Sequence, residues 1–138
     1  MMKQIDAYPH TVVWYDDAQR FMKCERFCKA EEFIWDADYK DQMMRLVALV
    51  QEKQPLYILM DLRQFFYPVN PEQQQWINEK VIPPILATGV LKGAFVLPTD
   101  IIAALSIEQI YDTEAAASLP VRMFTNYQKA LDWLGVQE

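Results

Sequence analysis

The sequence predicts a single α/β domain with a mixed central sheet of about five to six strands and helices packed largely on one face. Three observations support this fold class. The 138 residues are a usual length for one domain and can bury a core without disulfide or metal. Short apolar runs rich in β-branched and aromatic residues alternate with segments of helical period. The first runs are joined by short turns, which favours antiparallel strands, whereas helices separate the later ones.

The N-terminal third is predicted to begin with a loose arm, residues 1–9, which precedes the domain proper, residues 10–138. Residues 11–15 are β-branched and aromatic, which favours a strand. Residues 20–35 contain neither glycine nor proline and are predicted to form two strands with a bend near 25–28.

Residues 36–53 predict an amphipathic helix, because apolar side chains recur at helical spacing from Tyr39 to Val50. Asp36 or Asp38 is the expected cap, and Pro55 ends the helix since the residue before a proline avoids the α region. Residues 56–62 then form a nearly continuous apolar run. Such runs are typical of interior strands that are buried on both faces.

A second helix is predicted to begin at Asn70, which caps it, with Pro71 in the first position and Gln73 completing a capping box. It should reach Ile82 and stop or kink at the proline pair 83–84. The remaining elements follow in order. They are a strand over 91–97, a helix from 100 to 111 that continues loosely toward 118, a short strand over 121–124 and a helix over 127–134 ended by Gly135.

Composition argues against several classes of function. The chain has 13 basic and 19 acidic residues, so it lacks the basic surplus that nucleic-acid binding needs. Three glycines leave no Gly-rich phosphate loop, and one histidine, His10, argues against a histidine-based metal or acid–base centre. We therefore expect no catalytic residues, no metal, no cofactor and no enzymatic activity.

The two cysteines indicate the compartment. On one strand, Cys24 and Cys28 would lie roughly 13 Å apart, whereas a disulfide needs Cα atoms within about 7 Å. We expect free, buried thiols, which suit a reducing cytoplasm. The N-terminal residues show no apolar leader, and no stretch is long enough to span a bilayer. A cytoplasmic protein without integral membrane association is expected.

Several pieces of the chain, spread over residues 11–134, resemble the SpoIIAA-like, or STAS-type, domains of bacteria. The resemblance is strongest to the small stand-alone members described as STAS/SEC14 domain-containing proteins. In chain order the matching pieces are Leu59-Met60-Asp61-Leu62-Arg63, Asn70-Pro71-Glu72-Gln73-Gln74-Gln75-Trp76-Ile77, Pro98-Thr99-Asp100 after an apolar strand, and Ala130-Leu131-Asp132-Trp133-Leu134. The resemblance implies a mixed-sheet α/β fold and a regulatory or binding role.

This chain departs from the family at its regulatory serine. In the anti-sigma factor antagonists, a phosphorylatable serine lies at the N-terminus of the helix after the Asp-ended strand, where added negative charge is stabilised. Residues 61–76 contain neither serine nor threonine, and the corresponding position lies near Asn70. A phosphorylation switch at this place is therefore not expected.

The candidate site is the corner between the interior strand and the second helix, since ligands of open α/β sheets bind at carboxyl ends of strands. Its aromatic segment forms either an exposed contact patch or, folded back, part of the core. Asp61 either serves the site or simply pairs with Arg63, and Trp76 is at core spacing. The partner- or ligand-binding candidates are Asp61, Arg63, Phe65, Phe66, Tyr67, Asn70 and Trp76.

The expected function is that of a non-enzymatic STAS-like interaction module, which binds a protein partner or a second copy of itself through residues 63–73. The alternative is a binding module for a small apolar molecule, such as a lipid or fatty acyl group, in a SEC14-like manner. A cavity under the helices and the supply of methionine and aromatic side chains would serve that alternative. An acid–base site from Asp61, Tyr67 or Asp100 is the least favoured interpretation.

Overall fold

The computed structural model describes residues 1–113 and 120–138. Within them, six strands form one sheet in the order β1-β2-β3-β4-β5-β6. The first three strands are antiparallel neighbours, and β3 to β6 run parallel. This arrangement confirms the predicted α/β fold with a mixed sheet and is consistent with a STAS-like topology. The strands are β1 Lys3–Tyr8, β2 Thr11–Asp16, β3 Phe21–Cys28, β4 Tyr57–Phe65, β5 Lys92–Val96 and β6 Val121–Phe124.

Helical segments cover both faces of the sheet unequally, as predicted. Helices α1 to α4 pack on one face, here called the helical face, over the larger hydrophobic core. Helix α5 covers the opposite face, here called the α5 face, over a smaller core. The segments are α1 Asp36–Lys53, α2 Pro71–Trp76, a π-helical turn Ile77–Val81, α3 Ile82–Leu86, α4 Ile101–Tyr111 and α5 Tyr127–Leu134.

Strand β4 is an interior strand, as its apolar run predicts. It lies between β3 and β5 and has parallel partners on both sides. Alternate side chains of a strand point to opposite faces, so Ile58, Met60 and Leu62 enter the core of the helical face. Leu59 enters the core under α5. Burial on both faces explains why this strand lacks the polar alternation of a half-exposed one.

The N-terminal third differs from its prediction in two ways. Residues 3–8 are not a loose arm but the edge strand β1, which pairs with β2 and carries a bulge between Gln4 and Asp6. Arg45 of α1 ties β1 down by donating to both oxygens of Asp6, at 2.6 and 2.8 Å. Residues 20–35 contain one strand, β3, and an irregular segment rather than two strands.

The ends of the helices mostly follow their predicted signals. Helix α1 has its bounds as predicted, but its N-cap is Trp35 without a side-chain hydrogen bond, and Asp36 and Asp38 lie in the first turn. Asn70, Asp100 and Asn126 each accept a hydrogen bond as side-chain caps of α2, α4 and α5. The expected continuation of α4 from 114 toward 118 lies outside the described residues.

The helix that begins at Pro71 neither stops nor simply continues at the proline pair. It widens into the π-helical turn Ile77–Val81 and resumes as α3. Pro83 has no N–H, and its ring would collide with the carbonyl of Glu79 in a regular α-helix. A wider turn relieves this collision, which gives the π-helical turn a local cause.

Two further expectations have a structural outcome. Cys24 and Cys28 are buried, unpaired thiols, as predicted. None of the helices within the described ranges is both long and apolar enough to cross a membrane.

Candidate functional site

The predicted site residues lie on opposite faces of the sheet. The side chain of Asp61 lies on the α5 face, as that of Leu59 does, because alternate residues of a strand share a face. On this face the Arg63 guanidinium lies 4.3 Å from the centroid of the Tyr127 ring. Phe65 and Trp76 belong to the core of the helical face. The predicted site residues therefore do not converge on one surface.

Asp61 is paired with Arg63 rather than free. The Arg63 Nε atom donates to Oδ1 of Asp61 at 2.9 Å, and Nη2 donates to Oδ2 at 2.7 Å. Asp61 is 6% exposed, and its hydrogen bond raises the pKa of Arg63. Of the two interpretations of Asp61, the structure shows simple pairing. The carboxylate needs no further ligand because a bidentate guanidinium already satisfies both oxygens.

The aromatic segment folds back and closes the core. Phe65 is the last residue of β4 and only 2% exposed. Tyr67 stacks on Tyr39 of α1 with ring centroids 5.1 Å apart, and Phe66 is half-buried. An exposed aromatic contact patch is therefore not formed here. Trp76 is half-buried against the same core, with the Lys40 ammonium 5.5 Å from its ring.

The buried side chain of Gln73 connects the segments of this corner by hydrogen bonds. Its Nε2 atom donates to Oδ1 of Asp36 at 3.0 Å and to the hydroxyl of Tyr67 at 2.8 Å. Its Oε1 atom accepts from the backbone N–H of Asn70 at 3.1 Å. In return, the backbone N–H of Gln73 donates to Oδ1 of Asn70 at 2.8 Å. The capping box is confirmed. The link to α1 is a long-range contact that the sequence pattern does not reveal.

An apolar cavity lies on the helical face between α1, α3 and strands β4 and β5. Its volume is about 90 Å³, several times the space that one water needs. Tyr111 is the one lining residue with a polar side-chain group among those described, and burial raises its pKa. The other lining residues are Met43, Leu46, Val50, Ile58, Met60, Val81, Ile82, Ile85, Leu86, Val90, Gly93, Phe95, Pro120 and Val121.

Two local features of the chain account for this space. Gly93 of β5 lies on the cavity face and has no side chain to fill it. A Cβ atom built there would lie 3.7 Å from Val121 Cγ2, which is ordinary van der Waals contact. The π-helical turn ends at Val81 and places α3 over the cavity. A glycine inside a strand was the available sequence signal, because it often marks such a gap.

A second exposed feature lies just before α1. Phe33 and Trp35 form an edge-to-face pair with ring centroids 4.8 Å apart, and each is 70% exposed. The acidic residues around the pair are exposed as well, namely Glu31, Glu32, Asp36 and Asp38. Large exposed aromatic side chains of this kind often serve as contact surfaces.

The residues considered for acid–base chemistry do not meet. Asp61 is on the α5 face, Tyr67 is on the helical face, and Asp100 caps α4 by accepting from Ala103 N–H at 2.8 Å. In the part of the chain that the structure describes, no group of three or more His, Cys, Asp or Glu side chains could hold a metal ion.

Comparisons with protein-family models, with curated proteins and with solved structures find no match to this chain.

Proposed function

We propose that this protein is a non-enzymatic module that binds a small apolar ligand, of the lipid or fatty acyl class, in the cavity under α1 and α3. The observation that carries this proposal is the nearly complete apolar lining of that cavity. An enclosed apolar cavity of about 150 Å³ stays dry and accepts a benzene-sized molecule, so a longer ligand has to widen this smaller cavity or extend out of it. Each square ångström of apolar ligand surface removed from water contributes about 25 cal/mol to binding.

The walls of the cavity can adapt to a ligand. Met43 and Met60 line it from α1 and β4, and methionine side chains change shape at little cost. The π-helical turn provides Val81, and such turns are frequent at functional sites. The STAS-like resemblance with its SEC14-like label supports the same class of ligand. Partner binding through residues 63–73 loses support, because the corner has no exposed aromatic patch.

An uncharged probe tests this proposal directly. Octan-1-ol is titrated into the wild-type protein and into Gly93→Leu by calorimetry, with Gly93→Ala as the matched control. We expect the wild type to bind and Gly93→Leu to lose binding, because a leucine side chain fills the cavity from the strand. Gly93→Ala should weaken binding much less. Absence of wild-type binding, or equal binding by a folded Gly93→Leu variant, contradicts the proposal.

A second candidate function is recognition of a basic protein segment by the Phe33–Trp35 pair. The specific observation is an exposed aromatic pair flanked in sequence by exposed acidic residues, of which Asp36 already pairs with Lys40, and this composition complements a partner with apolar and basic side chains. The test titrates the protein with a lysine-rich amphipathic peptide by calorimetry, a readout that does not depend on Trp35. Binding should fall in Phe33→Ser/Trp35→Ser and persist in Leu91→Ser, an exposed apolar residue elsewhere. Equal binding by all three proteins contradicts this candidate.

A further inference from the structure

Arg26 is a buried cation on the helical face of the sheet. It lies in β3 opposite Thr11 of β2 and is only 4% exposed. Charged side chains are almost never buried to this degree without an opposite charge, because removal from water is costly. The environment of its guanidinium therefore needs an explanation.

All contacts of this guanidinium are with neutral groups. Nη2 donates to Oε1 of Gln42 at 2.6 Å, and Nη1 donates to the sulfur of Met43 at 3.4 Å. The rings of Phe65 and Tyr39 lie 4.4 and 5.3 Å from Cζ. Among the described residues, no carboxylate lies within 4.0 Å of Arg26.

Two acidic residues on nearby strands already have cationic partners. Asp6 of β1 pairs with Arg45, and Asp61 of β4 pairs with Arg63 on the opposite face. The titratable groups that interact with the charge of Arg26, namely Tyr8, Cys24, Cys28 and Tyr39, are neutral at pH 7. Burial raises the pKa of the Cys24 thiol and of the Tyr39 hydroxyl to about 12, and it raises the pKa of Tyr8 as well. Asp38 and Asp41 of α1 line a surface pocket together with Gln42, and neither forms an ion pair with Arg26.

Arg26 is also adjacent to the cavity. Met43, whose sulfur accepts from Nη1, is one of the residues that line the cavity. Met43 thus contacts both the guanidinium and the apolar space. A methionine has three rotatable side-chain bonds, so Met43 can change its rotamer without movement of the backbone.

We propose that Arg26 receives the carboxylate of the ligand whose apolar chain fills the cavity. The ligand is then a free fatty acid of short to medium chain, and Met43 turns aside when it binds. This inference rests on the proposed function and narrows its ligand class. A guanidinium binds a carboxylate through two parallel, charge-assisted hydrogen bonds. The present partners of Arg26, the amide of Gln42 and the thioether of Met43, are neutral and form weaker hydrogen bonds.

The test compares matched probes of equal chain length, octanoic acid and octan-1-ol, at pH 7. We expect the wild type to bind the acid at least about tenfold more tightly than the alcohol, as expected for a charge-assisted pair. Arg26→Met should lose this preference and bind the acid no more tightly than the alcohol, because a carboxylate without a cation is costly to bury. If the wild type binds both probes equally, or if Arg26→Met keeps the preference, the role of Arg26 is wrong and the cavity function stands. If neither probe binds, the proposed function fails too.

A second measurement needs no variant. Octanoic acid labelled with ¹³C at its carboxyl carbon is titrated with acid while bound to the wild-type protein, and its chemical shift is followed. A carboxylate held by Arg26 should have a pKa below that of the free acid, because a neighbouring cation favours the charged form. A bound pKa above that of the free acid would show a carboxyl group buried without a cation, which overturns the inference.

Discussion

Gln73 donates from its Nε2 atom to the hydroxyl of Tyr67 at 2.8 Å, and this hydrogen bond helps to close the corner between β4 and α2. The same Nε2 atom reaches Asp36 at the start of α1. One buried side chain thus connects a helix start, an aromatic segment and a neighbouring helix. The corner is a structural joint, and the candidate ligand site lies elsewhere on the same face.

Gln73→Ala should destabilise the protein by about 2 kcal/mol, because it leaves buried polar partners without their hydrogen bonds. Gln75→Ala is the control, since Gln75 is exposed and its side chain donates to the exposed Glu79. Its effect should stay within about 0.5 kcal/mol. Urea unfolding of both variants measures the difference. Equal stability of the two variants would show that the network around Gln73 contributes nothing.

Arg63→Ala should cost about 1–2 kcal/mol of stability, because the nearly buried Asp61 carboxylate loses both side-chain donors. Adding Asp61→Asn should recover part of the loss by removing the unpaired charge. Arg122→Ala is the control, an exposed arginine near the ring of Phe124. Thermal unfolding compares the four proteins. An unchanged melting temperature in Arg63→Ala would contradict the expected contribution of the Asp61–Arg63 pair to stability.

The two thiols should be unreactive in the folded protein. Cys24 and Cys28 are buried, and burial raises the pKa of both, that of Cys24 to about 12. A thiolate is the reactive form. A thiol reagent at pH 7.5 should therefore label neither cysteine within minutes and label both in guanidinium chloride. Rapid labelling of the native protein would show that β3 opens locally.

Protonation of Asp16 should lower the stability of the protein in acid. Hydrogen bonds led by the one from Gln19 hold the pKa of Asp16 well below its usual range. A lowered folded-state pKa stabilises above the unfolded value of about 3.9, and this contribution is lost as the pH falls below it. Asp16→Asn should therefore be less stable than the wild type at pH 7, with the difference shrinking below about pH 4.

The neighbouring exposed residue provides the control for this pH effect. Asp17→Asn removes the same charge one position along the chain, from an exposed side chain, and is measured in parallel. Unfolding by urea at a series of pH values measures both variants. A constant difference between Asp16→Asn and the wild type across the acid range would contradict the account.

The elements that the sequence predicts well are those whose signal is local. Helix α1 follows from the spacing of its apolar residues, and the start of α2 follows from Asn70, Pro71 and Gln73. Strand β1 has polar residues of low strand propensity, and its conformation depends on pairing with β2. A single-sequence pattern contains no information on that pairing, so β1 was predicted as an arm.

The candidate site was harder to predict than the fold. Whether an aromatic side chain faces water or the core depends on what packs against it, and Tyr67 packs against Tyr39 from a distant segment. The cavity needs the π-helical turn, Gly93 and Met43 at the same place, although they are far apart in the chain. The local sequence does not reveal that Arg26 is buried, because the residues that bury it, such as Gln42 and Met43, come from a different element.

The most direct test of the central claim is a methyl NMR titration of the wild-type protein, ¹³C-labelled at methionine methyl groups, with octan-1-ol. Met43 and Met60 line the cavity, whereas Met1 and Met44 are exposed and act as internal controls. The account predicts saturable shifts of the Met43 and Met60 signals, with those of Met1 and Met44 unchanged. Unmoved Met43 and Met60 signals, or equal shifts at all four, would contradict a ligand site in this cavity.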